Sequence, residues 1–424
     1  MATIAVFPEP GAWGPTNNLV AITEPLRERG HRIVFVVEES FAGELERRGF
    51  EEALMRMAPA PAQPEAVGEG WAEFIRTTAP EFRKPTIEQL ATVTVPIWGE
   101  LADGARYAHE RMLAIWEEIR PDVVVIDCVT GFPSIPLAGV PWVRIVSANP
   151  LELPDADLPP VFSGYAAGDR AGWDAFRAEY ARLSGPLQAE HSAFSERAGA
   201  GPLPEGQFQY ESPWLNVYVF PEEADYARAA PLGPAWHRVD STVRTSDPAF
   251  DVEAELPGDG PLIYLSLGSL GCMDTPLMQR FVDVLGRTGH RVIVSMGPRG
   301  DELTLGDRMY GAAFLPQAAI VPQCDLVVTH GGNNTVGECF TFGLPMIVHP
   351  LFWDQYDNAQ RVDELGFGVR LRSYEWTDDE LLAAVDRLLG PDGRAARMRP
   401  IGERLRSAPG QLRAAELIET LVPG

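Results

Sequence analysis

Two successive series of short apolar runs, separated by helix-length amphipathic stretches, constrain this chain more than any other feature. The first series lies at residues 3–7, 32–37, 122–126, 142–146 and 216–220, and the second at 262–265, 291–294, 325–328 and 346–348. Runs that are apolar throughout, rather than alternating with polar residues, belong to strands covered on both faces, as in a parallel sheet between helices. The stretch 18–29, closed by Gly30, has the length and end signal of a crossover helix. The fold class is therefore α/β with parallel sheets, and because the rhythm restarts, there are two domains. A length of 424 residues agrees, being about twice a typical domain. Turn chemistry (Ser246-Asp247-Pro248, then Leu256-Pro257-Gly258-Asp259-Gly260) marks 236–260 as the linker between 1–235 and 261–400. Residues 58–83 and the proline-rich 150–160, continuing toward Gly206, do not follow the βα rhythm; such segments carry ligand-specific loops.

Charge and cysteine usage narrow the function classes. A net charge of −25 opposes a nucleic-acid partner, which needs a basic face, and docking on an anionic membrane. Cys128, Cys272, Cys324 and Cys339 are scattered without paired spacing, as expected in a reducing compartment. The first apolar run is too short for a signal sequence, and no run is long enough to span a bilayer, so a cytoplasmic location is expected.

The chemistry concentrates in Asp325-Leu-Val-Val-Thr-His330-Gly-Gly-Asn-Asn-Thr-Val-Gly-Glu338. A strand runs through two glycines into a helix start. That is an anion site: Gly331 and Gly332 let backbone approach phosphate oxygens, and the amides and dipole of the helix favour negative charge. Asn333, Asn334 and Thr335 add polar side chains there. His330 can donate to a phosphate, and Glu338, one turn on, suits two vicinal ribose hydroxyls. Asp354-Gln355 follows the next strand and is placed to hold sugar hydroxyls. Phe314-Leu315-Pro316-Gln317 offers a base an aromatic face beside backbone and amide contacts. Ser269, after the first strand of the second series, supplies another hydroxyl. Polar clusters at successive strand ends are the geometry of a ligand crevice in an open α/β sheet.

In these residues the sequence resembles the inverting GT-B glycosyltransferases, the family of macrolide glycosyltransferases and UDP-glycosyltransferases. Asn333, Asn334, Thr335, Glu338, Asp354 and Gln355 fall on that family's donor signature without a gap. The resemblance implies two Rossmann-like domains facing a central cleft, with 1–235 binding the acceptor and 261–400 a nucleotide sugar. It implies that 401–424 returns as helix to the first domain. By the same resemblance His330 contacts the diphosphate with Gly332, Asn334 and Thr335, Glu338 holds the ribose, and Asp354 and Gln355 hold the sugar. Phe314 stands where the family stacks a tryptophan on the base, with Leu315 beside it. The implied reaction is transfer from a UDP- or dTDP-sugar to a small, antibiotic-like acceptor, without metal or resident cofactor, in a monomer or homodimer.

The acceptor side departs from the pattern. The family's first loop carries a proton-accepting histidine, and here Pro15 holds that position between Trp13 and Asn17, the three residues expected to line the acceptor loop. Asp127, matching the aspartate that orients the missing histidine, has three readings: the base itself, a site for a cationic acceptor, or a relic capping the next segment. Glu9, His109 and His191 are reserve candidates, more naturally surface residues, and His31 is structural. Asp155-Ala-Asp157 spells the metal-binding motif of other glycosyltransferases but lies in a proline-rich loop, not after a donor-domain strand. Two further classes remain: a catalytically silent sugar-nucleotide-binding partner of another transferase, and a sugar-nucleotide epimerase. A dinucleotide-dependent enzyme is disfavoured, because no Gly-x-Gly-x-x-Gly follows the first strand.

Overall fold

The computed structural model describes residues 1–60, 77–390 and 395–423. The part of the irregular 58–83 segment between 61 and 76 lies outside the described residues, as does 391–394. Among the described residues, thirteen strands form two sheets, parallel throughout. The first contains β1 (Thr3–Pro8), β2 (Arg32–Glu38), β3 (Glu51–Met55), β4 (Val123–Asp127), β5 (Trp142–Val146), β6 (Leu215–Val219) and β7 (Trp236–Val239), in the order β3-β2-β1-β4-β5-β6-β7. The second contains β8 (Leu262–Ser266), β9 (Arg291–Ser295), β10 (Met309–Ala312), β11 (Leu326–Thr329), β12 (Met346–Val348) and β13 (Gly368–Arg370), in the order β10-β9-β8-β11-β12-β13.

The longer helices, numbered here along the chain, are α1 (Trp13–Glu28), α2 (Val95–Ile119), α3 (Trp173–Ala198), α4 (Thr275–Gly286), α5 (Asn333–Phe342), α6 (Gln355–Glu364), α7 (Asp378–Leu389), α8 (Ala395–Ser407) and α9 (Gly410–Glu419). The apolar strands are two-faced, as their composition requires. Ile4 and Val6 of β1 enter a core shared with α1 and α9, whereas Ala5 and Phe7 enter another with Met112 and Ile115 of α2. In β8, Ile263 and Leu265 pack with Phe281 of α4 and Leu381 of α7; Leu262 and Tyr264 pack with Val336 of α5 and Met398 of α8.

Both sheets reverse their strand order at an equivalent place, between β1 and β4 and between β8 and β11. An aspartate fixes each reversal from below: Asp122 Oδ2 accepts the Thr3 amide and Asp325 Oδ2 accepts the Leu262 amide, both at 2.8 Å. Where order reverses, the flanking crossovers leave on opposite faces and a crevice opens above the carboxyl ends of the strands.

Several sequence expectations are corrected. Trp236–Val239 is an edge strand of the first sheet, so the connection between sheets runs over 240–261 rather than 236–260. An edge strand needs no apolar run, since one rim stays half-exposed. Helix α1 starts at Trp13, not near residue 18, because Pro15 sits in the first turn, where a helix needs no amide donor. Glu9, His109 and His191 are buried rather than on the surface. The C-terminal segment is two helices, not one. Met398 and Leu405 of α8 stay with the second domain, and after a break at Pro409, Ala414 and Ile418 of α9 enter the first domain's core.

Candidate active site

The two crevices face each other, and each brings together residues far apart in sequence. In the first, Asp127 ends β4 and Glu9 follows β1, with the Glu9 amide donating to the Asp127 carbonyl at 2.8 Å. Asp127 is 4% exposed; its Oδ2 accepts Asn18 Nδ2 at 2.7 Å and its Oδ1 the Ser147 amide at 3.2 Å. Glu9 Oε2 accepts the Val129 amide at 2.6 Å, whereas its Oε1 is buried without a hydrogen-bond partner among the described residues. Burial disfavours the charged form of both groups, raising Asp127 to about 7 and Glu9 to about 8, where hydrogen bonds only partly offset it. Glu152, paired with Arg144 at 2.8 Å, adds negative potential to both.

In the second crevice His330 follows β11 directly and faces the end of β8. Its ring is clamped between two glycines: a Cβ on Gly268 would fall 2.6 Å from His330 Cε1, and one on Gly332 2.6 Å from Nε2. Burial lowers the imidazole to about 4, so it is neutral near pH 7. Gly331, at φ 88°, makes the turn into α5, where a Cβ would meet Val348 at 2.6 Å. Gly332 caps α5, whose first amides have no partner within the helix and point at the space above the strand.

Around this turn the expected donor residues converge. Gln317 Nε2 bridges Thr335 Oγ1 (3.0 Å) and Glu338 Oε2 (2.5 Å), and Glu338 is buried at 2% exposure. Phe314 is 71% exposed beside Gln317, a flat apolar surface held out from the fold, while Leu315 packs against the domain core. Ser269 is exposed after β8. Asn333 and Asn334 reach across the cleft, donating to the carbonyls of Val219 (3.1 Å) and Gly14 (2.7 Å). Asp354 Oδ2 accepts the Asn149 amide at 2.9 Å from the other domain, and burial raises it to about 6. Gln355 Oε1 accepts the amides of Leu351 and Phe352, shaping the loop that carries Asp354. A shallow recess lies between α5 and the interdomain connection, lined by Asn333, Asn334, Gly337 and Thr242 among others.

The acceptor-loop expectation fares differently. Trp13 packs on Phe41 with ring centroids 4.7 Å apart, and Asn17 Oδ1 accepts Arg48 Nη1 at 3.0 Å. Trp13, Pro15 and Asn17 therefore build the first turns of α1 rather than a free loop, and Asn18, not singled out from the sequence, is the residue of that helix that reaches Asp127. His191 is tied to the Gly131 carbonyl at 2.8 Å, His109 packs edge-on against Phe194, and His31 lies within 3.3 Å of the Glu419 carboxylate. Asp155 and Asp157 face Arg228 and Arg170.

Other contacts invisible in the sequence close the cleft. Asp357 accepts the amides of Phe162 (2.6 Å) and Gly164 (2.8 Å) from the other domain, and Asn149 Nδ2 donates to Asn358 Oδ1 at 2.8 Å. Residues 279–421 match the model of the erythromycin biosynthesis protein CIII-like C-terminal domain. The chain is 27% identical to oleandomycin glycosyltransferase of Streptomyces antibioticus, over all of this chain and 91% of that one. It is 26% identical to demethyllactenocin mycarosyltransferase of Streptomyces fradiae, over all of this chain and 87% of that one. The chain is a glycosyltransferase similar to the macrolide and UDP-glycosyltransferases. This glycosyltransferase shares the GT-B fold of spinosyn rhamnosyltransferase SpnG, solved in complex with thymidine diphosphate, with a TM-score of 0.67, 19% identity and coverage of 99% of this chain and 100% of that one. Among the described residues, no helix of this glycosyltransferase is long and apolar enough to cross a membrane.

Proposed function

We propose that this glycosyltransferase moves a sugar, with inversion, from a UDP- or dTDP-sugar to a small natural-product acceptor. The observation that carries the reading is the His330-Gly331-Gly332 turn into α5, at the reversal point of the second sheet. The acceptor oxygen or nitrogen attacks the anomeric carbon, the bond from that carbon to the diphosphate breaks, and the nucleoside diphosphate departs. The charge appearing on the leaving group is met by the α5 amides and the His330 ring, which supply what a cation would otherwise supply, so the transfer needs no metal or resident cofactor. Phe314 stacks on the base with Leu315 behind it, Gln317 reads its edge, and Glu338 accepts the ribose. Ser269, Gly332, Asn334 and Thr335 hold phosphate, Asn333 sets the helix start, and Asp354 and Gln355 hold the sugar. Because Asn333, Asn334 and Asp354 are bonded across the cleft, the donor enters as the domains separate and replaces those partners.

The acceptor's proton goes to the Asp127–Glu9 carboxylate pair. A base raised toward neutrality by burial is ionised over a useful range and still basic enough to take a proton. Glu9 has the free oxygen and Asp127 the fixed orientation. A natural-product acceptor is the class named for the relatives that match nearly end to end, and those names also disfavour a silent binding partner. The test is a thermal-shift screen with UDP, dTDP and GDP, since a ligand bound only by the folded state raises apparent stability by mass action. At least one should raise the melting temperature; no shift with any, at millimolar concentration, sinks the donor-site assignment.

A further inference from the structure

The connection between the sheets contributes a cation to the donor crevice. Arg244 lies in the 240–261 stretch, yet its side chain is buried at 9% exposure beside α5. Its Nε and Nη2 each donate to Asp247 at 2.7 Å, a bidentate pairing that fixes the guanidinium plane, and its Nη1 reaches Glu338 Oε1 at 3.4 Å. Asp247 is itself held by the Ala318 amide at 3.2 Å, one residue after Gln317, whose side chain grips the other Glu338 oxygen. The connection is anchored on its far side as well: Thr245 donates to Glu24 Oε2 of α1 from both its amide and its hydroxyl at 2.8 Å.

Glu338 needs such a partner. A carboxylate this deeply buried loses its water and tends to take up a proton unless a cation stands next to it. The titratable groups around it are Arg244 and Asp247 from the connection, Tyr264 of β8 and Cys339 beside it on α5. Arg244 alone is positive. Burial raises the Glu338 carboxyl, and Arg244 is the largest influence pulling it back down. An ionised carboxylate accepts hydroxyl hydrogen bonds more strongly than a neutral acid and can accept two at once.

We propose that Arg244 is a donor-positioning residue: from the interdomain connection it holds the Glu338 carboxylate ionised and fixed in direction, ready to accept the sugar hydroxyls of a nucleoside diphosphate. This rests on the donor-site reading and adds to it a residue outside the strand-end motifs. Asp247 orients the guanidinium, and the anchoring on Glu24 places the pair where both domains meet. Donor affinity is thereby tied to the path of the connection.

Calorimetric titration of the full chain with UDP and with dTDP, from pH 6 to 8.5, tests this in wild type, Arg244→Ala, Arg244→Lys, Glu338→Gln and the Arg244→Ala/Glu338→Gln double variant. Wild-type affinity should change little with pH as far as Glu338 is concerned. Arg244→Ala should weaken binding at least ~10-fold at pH 6 and recover part of the loss as pH rises and Glu338 ionises. Arg244→Lys restores the charge without the fork and should restore the wild-type pH profile at several-fold lower affinity. In the Glu338→Gln background Arg244→Ala should cost less than ~2-fold, because no charge is left to hold. Arg244→Ala binding within ~2-fold of wild type, or a loss that is equal at every pH and persists in the Glu338→Gln background, overturns the proposal. Should Arg244→Ala not fold, the Lys variant and the Glu338→Gln comparison carry the same decision. Wild type binding neither nucleotide would instead overturn the donor-site reading beneath it.

Discussion

Asn18 Nδ2 donates to Asp127 Oδ2 at 2.7 Å, joining α1 to the end of β4 across the reversal point of the first sheet. Asn18 Oδ1 accepts the Thr242 hydroxyl, so the bond also reaches the interdomain connection. An amide can orient a carboxylate but cannot relay its proton at neutral pH. Asn18 thus fixes the direction of the Asp127 carboxylate without carrying a proton to or from it.

Asp127→Asn and Glu9→Gln should each lower kcat, at least one of them by ~10²-fold or more, with nucleotide affinity within a few-fold of wild type. With the ionised pair as the proposed proton acceptor, and burial placing the two groups at about 7 and about 8, transfer should rise with pH between 6 and 8.5. Steady-state rates across that range decide it. Both variants turning over like wild type would remove the pair from the chemistry.

Replacing His330 by Ala should reduce transfer by ~10²–10³-fold, the scale on which one leaving-group donor acts. The ring lies between Gly268 and Gly332, neither of which has a side chain to lose its packing, so the melting temperature should hold within a few degrees. Activity surviving at the wild-type level would break the link between the His330 turn and the diphosphate.

Gly332 gives a finer test of the same turn. Its backbone, at φ −59° and ψ 137°, suits any residue, so alanine adds no backbone strain. The added Cβ would nonetheless fall 2.6 Å from His330 Nε2 and force the ring aside. Gly332→Ala should therefore melt close to wild type yet lose ~10-fold or more in transfer rate. If both stability and rate stay unchanged, the ring is free to move and the clamp is not functional.

The turn around His330 was legible because its residues are local. His330, Gly331, Gly332 and Glu338 sit on one strand end and the helix after it, where spacing alone puts them on one face. Legibility ended where packing between distant segments takes over. Arg244 reads as an ordinary linker residue, and nothing local says that its guanidinium lies against Glu338, 94 residues on. Glu9 reads as a surface carboxylate in a proline-rich turn; its burial follows from the Val129 loop folding over it. Trp236–Val239 escaped because an edge strand needs only backbone partners, and its side chains are mostly half-exposed. Trp13 and Asn17 read as loop residues because the resembling family has its first loop there, whereas here Pro15 is tolerated in the first turn of α1.

The buried pair should also govern how stability responds to pH. Glu9 goes from the ordinary 4.5 to about 8 on folding, and Asp127 from 3.8 to about 7, both chiefly through burial. Their pKa values are higher in the folded than in the unfolded chain, so between those limits the folded state binds more protons. The stabilising contribution is complete below about 4 and is lost as pH rises through about 7–8. The melting temperature should fall between pH 6 and 8.5. Glu9→Gln keeps an oxygen for the Val129 amide but cannot ionise, so its fall over that range should be shallower. Parallel melting curves for the two proteins, followed by circular dichroism, would mean that Glu9 is already ionised at pH 6 and is not held up by burial.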